Sequence, residues 1–552
     1  MNLRWRMPDG MTGDPDLIRV SAKDLNDQAA CPEQLAAKVR PAVKLRVYPR
    51  RPDPRYETFP LGRLMDVLNQ HEFKGIALRD ALDALTDDQT LHAGTLTWIR
   101  HAAECYIASS AEGGDDPLEA VQDHWVTQRS GQRPEPTWEM YAWGRRYRTA
   151  DGALREFRFL RLGRAGDWSR PSSQIAVAAY TTAVGEPAAW PKPWSEPFRL
   201  SAAPRAERVR VVEVGLLDGS RAVLFDGTVA QAEEYFAVHG RSSIRPLEGG
   251  GDRIPSADCL DCKQLTSCDA VNRAPHLLGI AGRAGQPLRS YAIRDGRAHA
   301  ACPAQQHLRS IRLPKLNEYG PEAERGLAVH DMLKNAHSRT PRRCCTAEDL
   351  PADPGNWAAG GRQLTGDLAQ GGAQMLRRHR QICPYLHHDQ ITGATAEPQL
   401  SFYDTVANVL VLATPDLLYA EGPARVWREV KTKERHRWMG DDMLQFYPQL
   451  ALGVVILASN LLGGDTRQHR IELETLTPTS SNIELLDVGD PEVVAKARVI
   501  VAALAEPWHR DDLAVTKPGP DCQMCPVRMW CPDFPGSDDG PPIDLRSAET
   551  EA

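Results

Sequence analysis

The sequence predicts an α/β chain built from one unit written twice, each copy a mixed sheet flanked by helices and closed by a four-cysteine site. Three observations carry this reading. The spacing C-x2-C-x5-C occurs at Cys259, Cys262 and Cys268 and recurs at Cys522, Cys525 and Cys531. A cysteine in an AACP context lies far upstream of each triplet, at Cys31 and at Cys302. Each half also holds a strand–turn–strand pattern, over 137–163 and 397–433. The boundaries that follow are 1–275 and 276–535, with 536–552 as a disordered acidic tail whose polar composition cannot bury a core.

At 552 residues the chain has room for two large domains. Its 66 Lys and Arg against 73 Asp and Glu leave a net charge of −7, which argues against a uniformly basic nucleic-acid coat but permits a local basic groove. No run of 18 uncharged apolar residues occurs and the first residues carry no apolar signal segment, so a cytoplasmic protein without membrane contact is expected. In a reducing compartment the 12 cysteines read as ligands rather than disulfides. Three thiolates are one short of the four that a [4Fe–4S] cluster or a tetrahedral zinc needs. Cys302 supplies the fourth for Cys522, Cys525 and Cys531, and Cys31 for Cys259, Cys262 and Cys268. Cys105, Cys344, Cys345 and Cys383 fall outside the pattern and are expected to be core or incidental.

In the second half, EPQLSFYDTVANVLVLATPDLLYAEGPARVWREVKTK predicts strands near 406–420 and 425–433, broken at AEGPA. Glu429 and Lys431 are two apart on the second strand and project to one face, and an antiparallel neighbour brings Asp416 beside them. Two adjacent carboxylates repel unless a cation lies between them. Mg²⁺ or Mn²⁺ suits such a pair, and the ion can acidify a bound water and neutralise charge on a phosphodiester. Lys431 offers three donors for a water or a phosphate oxygen.

This PD-x12-E-x-K arrangement resembles the PD-(D/E)XK nuclease superfamily, and the flanking cysteines are similar to its RecB-like branch, which includes CRISPR adaptation exonucleases and AddB-type nucleases. The resemblance covers residues 300–531. It implies two tandem PD-(D/E)XK-like domains, the second an Mg²⁺- or Mn²⁺-dependent deoxyribonuclease, in exonuclease mode, serving repair or defence. It further implies that His330, in GLAVHDML, joins Asp416, Glu429 and the Val430 carbonyl around the cation. A glutamine on the following helix supports Lys431; Gln445 and Gln449 share a face at i, i+4, and Gln449 is favoured. One or two [4Fe–4S] clusters are implied at the cysteine sets, with zinc as the alternative occupant, stapling residues more than 200 positions apart.

RVWREVKTKERHRW carries six Lys and Arg against two Glu, a basic segment suited to a phosphate backbone, and MLRRHRQ at 375–381 is a second basic stretch on a predicted helix. Single- or double-stranded DNA is the expected partner. No GxxxxGK[ST] motif is present, so any motor activity would come from a helicase or defence-system partner. In the first half Glu156-Phe157-Arg158 stands where Glu-x-Lys would be, with Glu139 as the nearest acid on the preceding strand and His101, Gln174 and Tyr180 as loose counterparts. Arginine does not replace a catalytic lysine, so this half is expected to be an inactive scaffold. The non-enzymatic alternative is a nucleic-acid-binding subunit with both sites silent.

Overall fold

The strand Ala424–Thr432 organises the second half. Its sequence ARVWREVKT places Trp427, Glu429 and Lys431 on one face and Val426, Arg428 and Val430 on the other, and residues of both faces are buried, as for a central strand. It pairs antiparallel with Leu417–Glu421 across a turn at Gly422 (φ 55°), and parallel with Arg470–Leu476. A parallel pair needs a crossover, which runs through the helix Pro448–Ala458. Among the residues described in this computed structural model (5–25, 31–46, 53–111, 117–130, 135–316, 320–386, 391–435 and 443–534), the sheet order is 391–396, 417–421, 424–432, 470–476 and 481–487.

The crossover helix is almost wholly buried, and packs Leu450, Val454 and Leu457 with Trp427, Ile471 and Leu473. Gly453 is required there: a Cβ would lie 3.0 Å from Ile471 and 3.2 Å from the Trp427 ring. The opposite face puts Val430 and Leu476 under the helices Pro321–His337 and Gly366–His379. Asp416 and Glu429 therefore lie side by side, one just before the strand Leu417–Glu421 and one within the central strand, with a helix against either face of the sheet.

Several expectations are corrected. The strand expected over 406–420 is two strands in two sheets, Val409–Ala413 and Leu417–Glu421, separated at Thr414-Pro415-Asp416. Proline cannot donate to a ladder and tends to end a strand. Asp416 is thus a connector residue just before the second strand. Gln445 and Gln449 do not share one helix: Met443–Phe446 ends before Pro448 begins the next, leaving Gln445 exposed. The segment 274–290, APHLLGIAGRAGQPLRS, reads from its glycines and prolines as an interdomain linker, but Ala274, Leu277, Leu278 and Ile280 are buried in the second half's core. Asn272–Arg273 also pairs with the strand Leu400–Asp404. The expected tail 536–552 and His436, Arg437 and Trp438 of the basic segment lie outside the described residues.

The first half has a five-stranded sheet of the same form, ordered 119–120, 145–148, 154–161, 208–215 and 221–228. Its pairings run antiparallel, antiparallel, parallel, antiparallel, the succession found in the second half. The helix Ser172–Val184 occupies the crossover position. The expected hairpin over 137–163 is broken at Ala142-Trp143-Gly144, so Thr137–Tyr141 joins a different sheet; the Thr149–Gly152 turn connects 145–148 to 154–161. The two halves break their predicted strand at the same topological point.

The halves also interlock. Trp530 is buried, donates to the Pro314 carbonyl at 2.7 Å, and packs with Val527 and Leu308 on Trp98, Ile99 and Ala102 of the helix Ala93–Ala111. Reciprocally, Cys259 and Leu265 pack with Leu410 from the second half.

Candidate active site and cysteine sites

The helix Pro321–His337, started by Pro321 at its first turn, carries His330 over the edge of the sheet. Its Nδ1 lies 3.1 Å from Asp416 Oδ1, while Asp416 Oδ2 accepts the Val430 N–H at 2.7 Å. One carboxylate thus ties the helix to the central strand. Two residues along the chain from Glu429, Lys431 places Nζ 2.6 Å from Glu429 Oε1, and the Gln449 amide donates to that oxygen at 3.5 Å. The structure therefore brings His330, Asp416, Glu429, Val430, Lys431 and Gln449 together; Gln445 stays outside. Tyr447 was missed by sequence reasoning. Its ring lies 5.9 Å from Lys431 Nζ and 5.2 Å from Lys433 Nζ, and its place one residue before the helix-starting Pro448 is a weak signal.

The electrostatics are those of a crowded acid pair. Burial, with the Asp416 charge added, holds the Glu429 carboxyl above the usual carboxylate range despite Lys431. Burial would raise Asp416 too, but the His330 hydrogen bond, the His330 and Lys431 charges and the Val430 N–H hold it below that range. Burial pulls Lys431 down, and Glu429 and Asp416 more than offset it, so it stays an ammonium. His330 is likewise raised, with Asp416 overcoming burial. Two carboxylates and an imidazole form a donor set of the kind that Mg²⁺ or Mn²⁺ accepts. The excess negative charge now offset by His330 and Lys431 is what such an ion would neutralise.

Cys31, Cys259, Cys262 and Cys268 line one small pocket together with Arg253, Ile254 and Gln264. Main-chain N–H groups of Ile254, Ser256 and Gln264 point at the sulfurs of Cys31, Cys259 and Cys262, each at 3.4 Å. At the second set the Gly519 N–H reaches Cys522 at 3.3 Å and the Gln305 amide reaches Cys525 at 3.5 Å. Cys302, beside Cys522, Cys525 and Cys531, caps the helix Pro303–Ser310. Amide donors aimed at sulfur suit thiolates, so both sets fit a bound cluster or ion. Burial, reinforced by the neighbouring Cys259, Cys31 and Cys268 and only partly offset by the Gln264 N–H, holds the Cys262 thiol up at about 11.

The first half lacks the acidic pair. Leu417 and Arg145 open equivalent strands, opposite Arg428 and Arg158, so aligning the strand starts sets Asp416 against Gly144, Glu429 against Phe159 and Lys431 against Arg161. Glu156-Phe157-Arg158, expected at the Glu-x-Lys position, is displaced by three residues; Glu156 instead pairs with Arg158 at 2.6 Å and with Arg210 and Arg221. A Glu-x-Arg in the right strand mimics the motif but lies on the other face of the sheet, with Arg158 against Tyr106 and Ser110. Arg161 is held by Glu213 at 2.6 Å, and Glu213 also binds Arg170, which reaches Gln174. Glu139 lies in the other sheet, bound to Arg19; His101 contacts the Leu217 carbonyl; Tyr180 stacks on Phe236.

Cys345 and Cys383, expected to be incidental, converge with His337 and His379, their donor atoms all within 4.8 Å of one another. The pair His379 and Cys383, at H-x3-C spacing, was the sequence signal for it.

Residues 297–532 match the PD-(D/E)XK nuclease superfamily, a span that takes in Cys302, His330, Asp416, Glu429, Lys431, Gln449 and the last cysteine triplet. No curated protein matches the chain. The second half thus carries a PD-(D/E)XK nuclease superfamily domain. No described helix is long and apolar enough to cross a membrane.

Proposed function

We propose that the chain is a divalent-metal-dependent deoxyribonuclease of the RecB-like type, acting as an exonuclease in DNA repair or defence, with its active site in the second half. The observation that carries this is the convergence of His330, Asp416, Glu429, Lys431 and Gln449 at one strand end inside the superfamily span. Asp416, Glu429, His330 and the Val430 carbonyl would hold Mg²⁺ or Mn²⁺, which when bound would acidify water and offset phosphate charge. The protein's own part is positioning. Lys431, kept as an ammonium by Glu429, donates to a phosphoryl oxygen and to the attacking water rather than acting as a base. Gln449 fixes Glu429, and the Val430 N–H fixes Asp416. The attacking water would give up its proton to bulk water and the leaving oxygen, on the far side of phosphorus, would take one up from solvent, so Lys431 keeps its own.

The two halves act as tandem PD-(D/E)XK-like domains with boundaries close to 1–275 and 276–535. Without acids at Gly144 and Phe159, the first is a scaffold or DNA platform. Each four-cysteine set staples its half; [4Fe–4S] clusters at Cys302, Cys522, Cys525 and Cys531, and at Cys31, Cys259, Cys262 and Cys268, are the preferred occupants, with zinc as the rival. The last cysteine segment packs on the first half's helix Ala93–Ala111, so losing that staple loosens the contact between the halves as well. The test is cleavage of end-labelled single- and double-stranded DNA by anaerobically purified protein with Mg²⁺ or Mn²⁺. Cutting that Asp416→Asn abolishes supports the nuclease reading. Binding without cutting under any divalent ion favours a non-catalytic subunit of a larger complex, with a helicase as the natural partner.

A further inference from the structure

Four ligand-type side chains from four segments meet beneath the catalytic sheet. His337 ends the helix that carries His330, His379 ends the helix Gly366–His379, and Cys345 and Cys383 lie in the connections that follow those helices. They are 5%, 6%, 0% and 2% exposed for His337, Cys345, His379 and Cys383. Buried thiols and imidazoles are ordinary singly; four with mutually converging donor atoms are not. The two imidazoles meet Nε2 to Nε2 at 3.1 Å. His379 turns Nδ1 to Glu474 Oε1 at 2.5 Å, which directs its Nε2 lone pair into the group. Such a carboxylate behind the distal ring nitrogen orients a ligating histidine and raises its basicity. Glu474 is itself held by Arg428 at 3.1 Å, on the strand that bears Glu429 and Lys431. The Cys345 N–H donates to Cys383 Sγ at 3.5 Å, the contact expected of a thiolate.

We propose that His337, Cys345, His379 and Cys383 hold a structural zinc ion that is separate from both the catalytic cation and the four-cysteine sites. Two thiolates and two neutral imidazoles make an uncharged complex with Zn²⁺, which suits a dry site. Bonds of about 2.0–2.1 Å to nitrogen and 2.3 Å to sulfur put the tetrahedral edges at roughly 3.3–3.8 Å. Donor atoms already within 4.8 Å of one another need only small side-chain rotations to reach that. Soft sulfur donors exclude Mg²⁺, and a four-iron cube needs a wider cage. His337 and His330 are seven residues, two turns, apart on one helix face, so the ion would fix the helix that presents His330 to Asp416.

The test uses the full chain, purified anaerobically, with zinc and iron measured together and X-ray absorption recorded at the zinc edge. The expected result is one zinc per chain with a two-sulfur, two-nitrogen shell. Cys383→Ser or His379→Asn should lose that equivalent, whereas Cys344→Ser, next to the group but outside it, should keep it. Because the absorption spectrum is read on unaltered protein, an unfolded variant does not decide the matter. A four-sulfur shell would place the zinc in a four-cysteine set and overturn the proposal. So would an absence of zinc, or a disulfide between Cys383 and Cys344 or Cys345 in the fresh protein.

Discussion

Replacing Lys431 by alanine removes a cation of the candidate site that is not one of the proposed metal ligands. Its Nζ lies 2.6 Å from Glu429 Oε1, with the two side chains 24% and 11% exposed, so its charge acts in a partly dry setting. A unit charge about 4 Å from a developing phosphoryl charge, at an effective dielectric near 20, is worth about 4 kcal/mol. Removing a comparable electrostatic donor elsewhere costs about 2.7–4 kcal/mol, or roughly 10²–10³ in kcat. Single-turnover cleavage of labelled DNA at saturating Mn²⁺ should therefore slow by about that factor in Lys431→Ala. A second effect follows from the pair itself. Lys431 is the strongest influence pulling the Glu429 carboxyl down, so without it burial leaves more Glu429 protonated and the Mn²⁺ requirement rises at neutral pH. Lys431→Arg should not restore the rate, because a planar guanidinium presents its donors in a different geometry. Wild-type rates in Lys431→Ala at saturating Mn²⁺ would refute the role assigned to this residue.

Four further outcomes are expected. His330 must be neutral at Nδ1 to bind a cation, and Asp416 raises its pKa, so Mn²⁺ affinity measured by titration calorimetry should begin to fall above pH 6.5 as the medium is acidified; a His330→Ala protein should lose that dependence. Glu213 is buried between Arg161 and Arg170, and although burial pushes its carboxyl up, those guanidiniums and the Gly166 N–H hold it below 4.5. That stabilisation is present above the unfolded value and is lost as pH falls through the depressed one, so Glu213→Gln should cost about 3–5 kcal/mol at pH 7 in denaturant unfolding, with the difference shrinking only in acid. Trp530→Ala should destabilise the chain by about 3–5 kcal/mol and increase proteolysis at the contact with the helix Ala93–Ala111; unchanged protection there would count against the interlocked halves. Cys522→Ser should lower iron content together with thermal stability, whereas a loss of activity alone at full stability would contradict a staple.

The proximity of the candidate residues was legible because Pro415, Asp416, Glu429 and Lys431 keep a spacing that a hairpin brings together whatever surrounds it. The four-cysteine partners were legible from repetition. The sheet change at Thr414–Asp416 was hidden because VLVLATPDLLY is apolar on both sides of the break, so hydrophobicity alone reads as one strand. In the first half the eye is drawn to Glu156-x-Arg158, but Arg158 turns to Tyr106 and Ser110 of the helix Ala93–Ala111, the face opposite the crossover helix, and which face a residue takes is set by strand boundaries that a single sequence does not carry. The buried Leu277, Leu278 and Ile280 were obscured by the glycines and prolines around them, which give the segment the look of a linker. The histidine and cysteine group was dispersed over residues 337–383, and His379 was masked within a basic helix end.

The most direct test of the account is anomalous scattering at the manganese edge from crystals of the anaerobic protein soaked with Mn²⁺ and an uncut oligonucleotide. The account predicts a peak bonded to Asp416, Glu429, His330 and the Val430 carbonyl, with a phosphate beside Lys431, and its disappearance in Glu429→Gln. A cation seated elsewhere, with these side chains still bound only to one another, would contradict it.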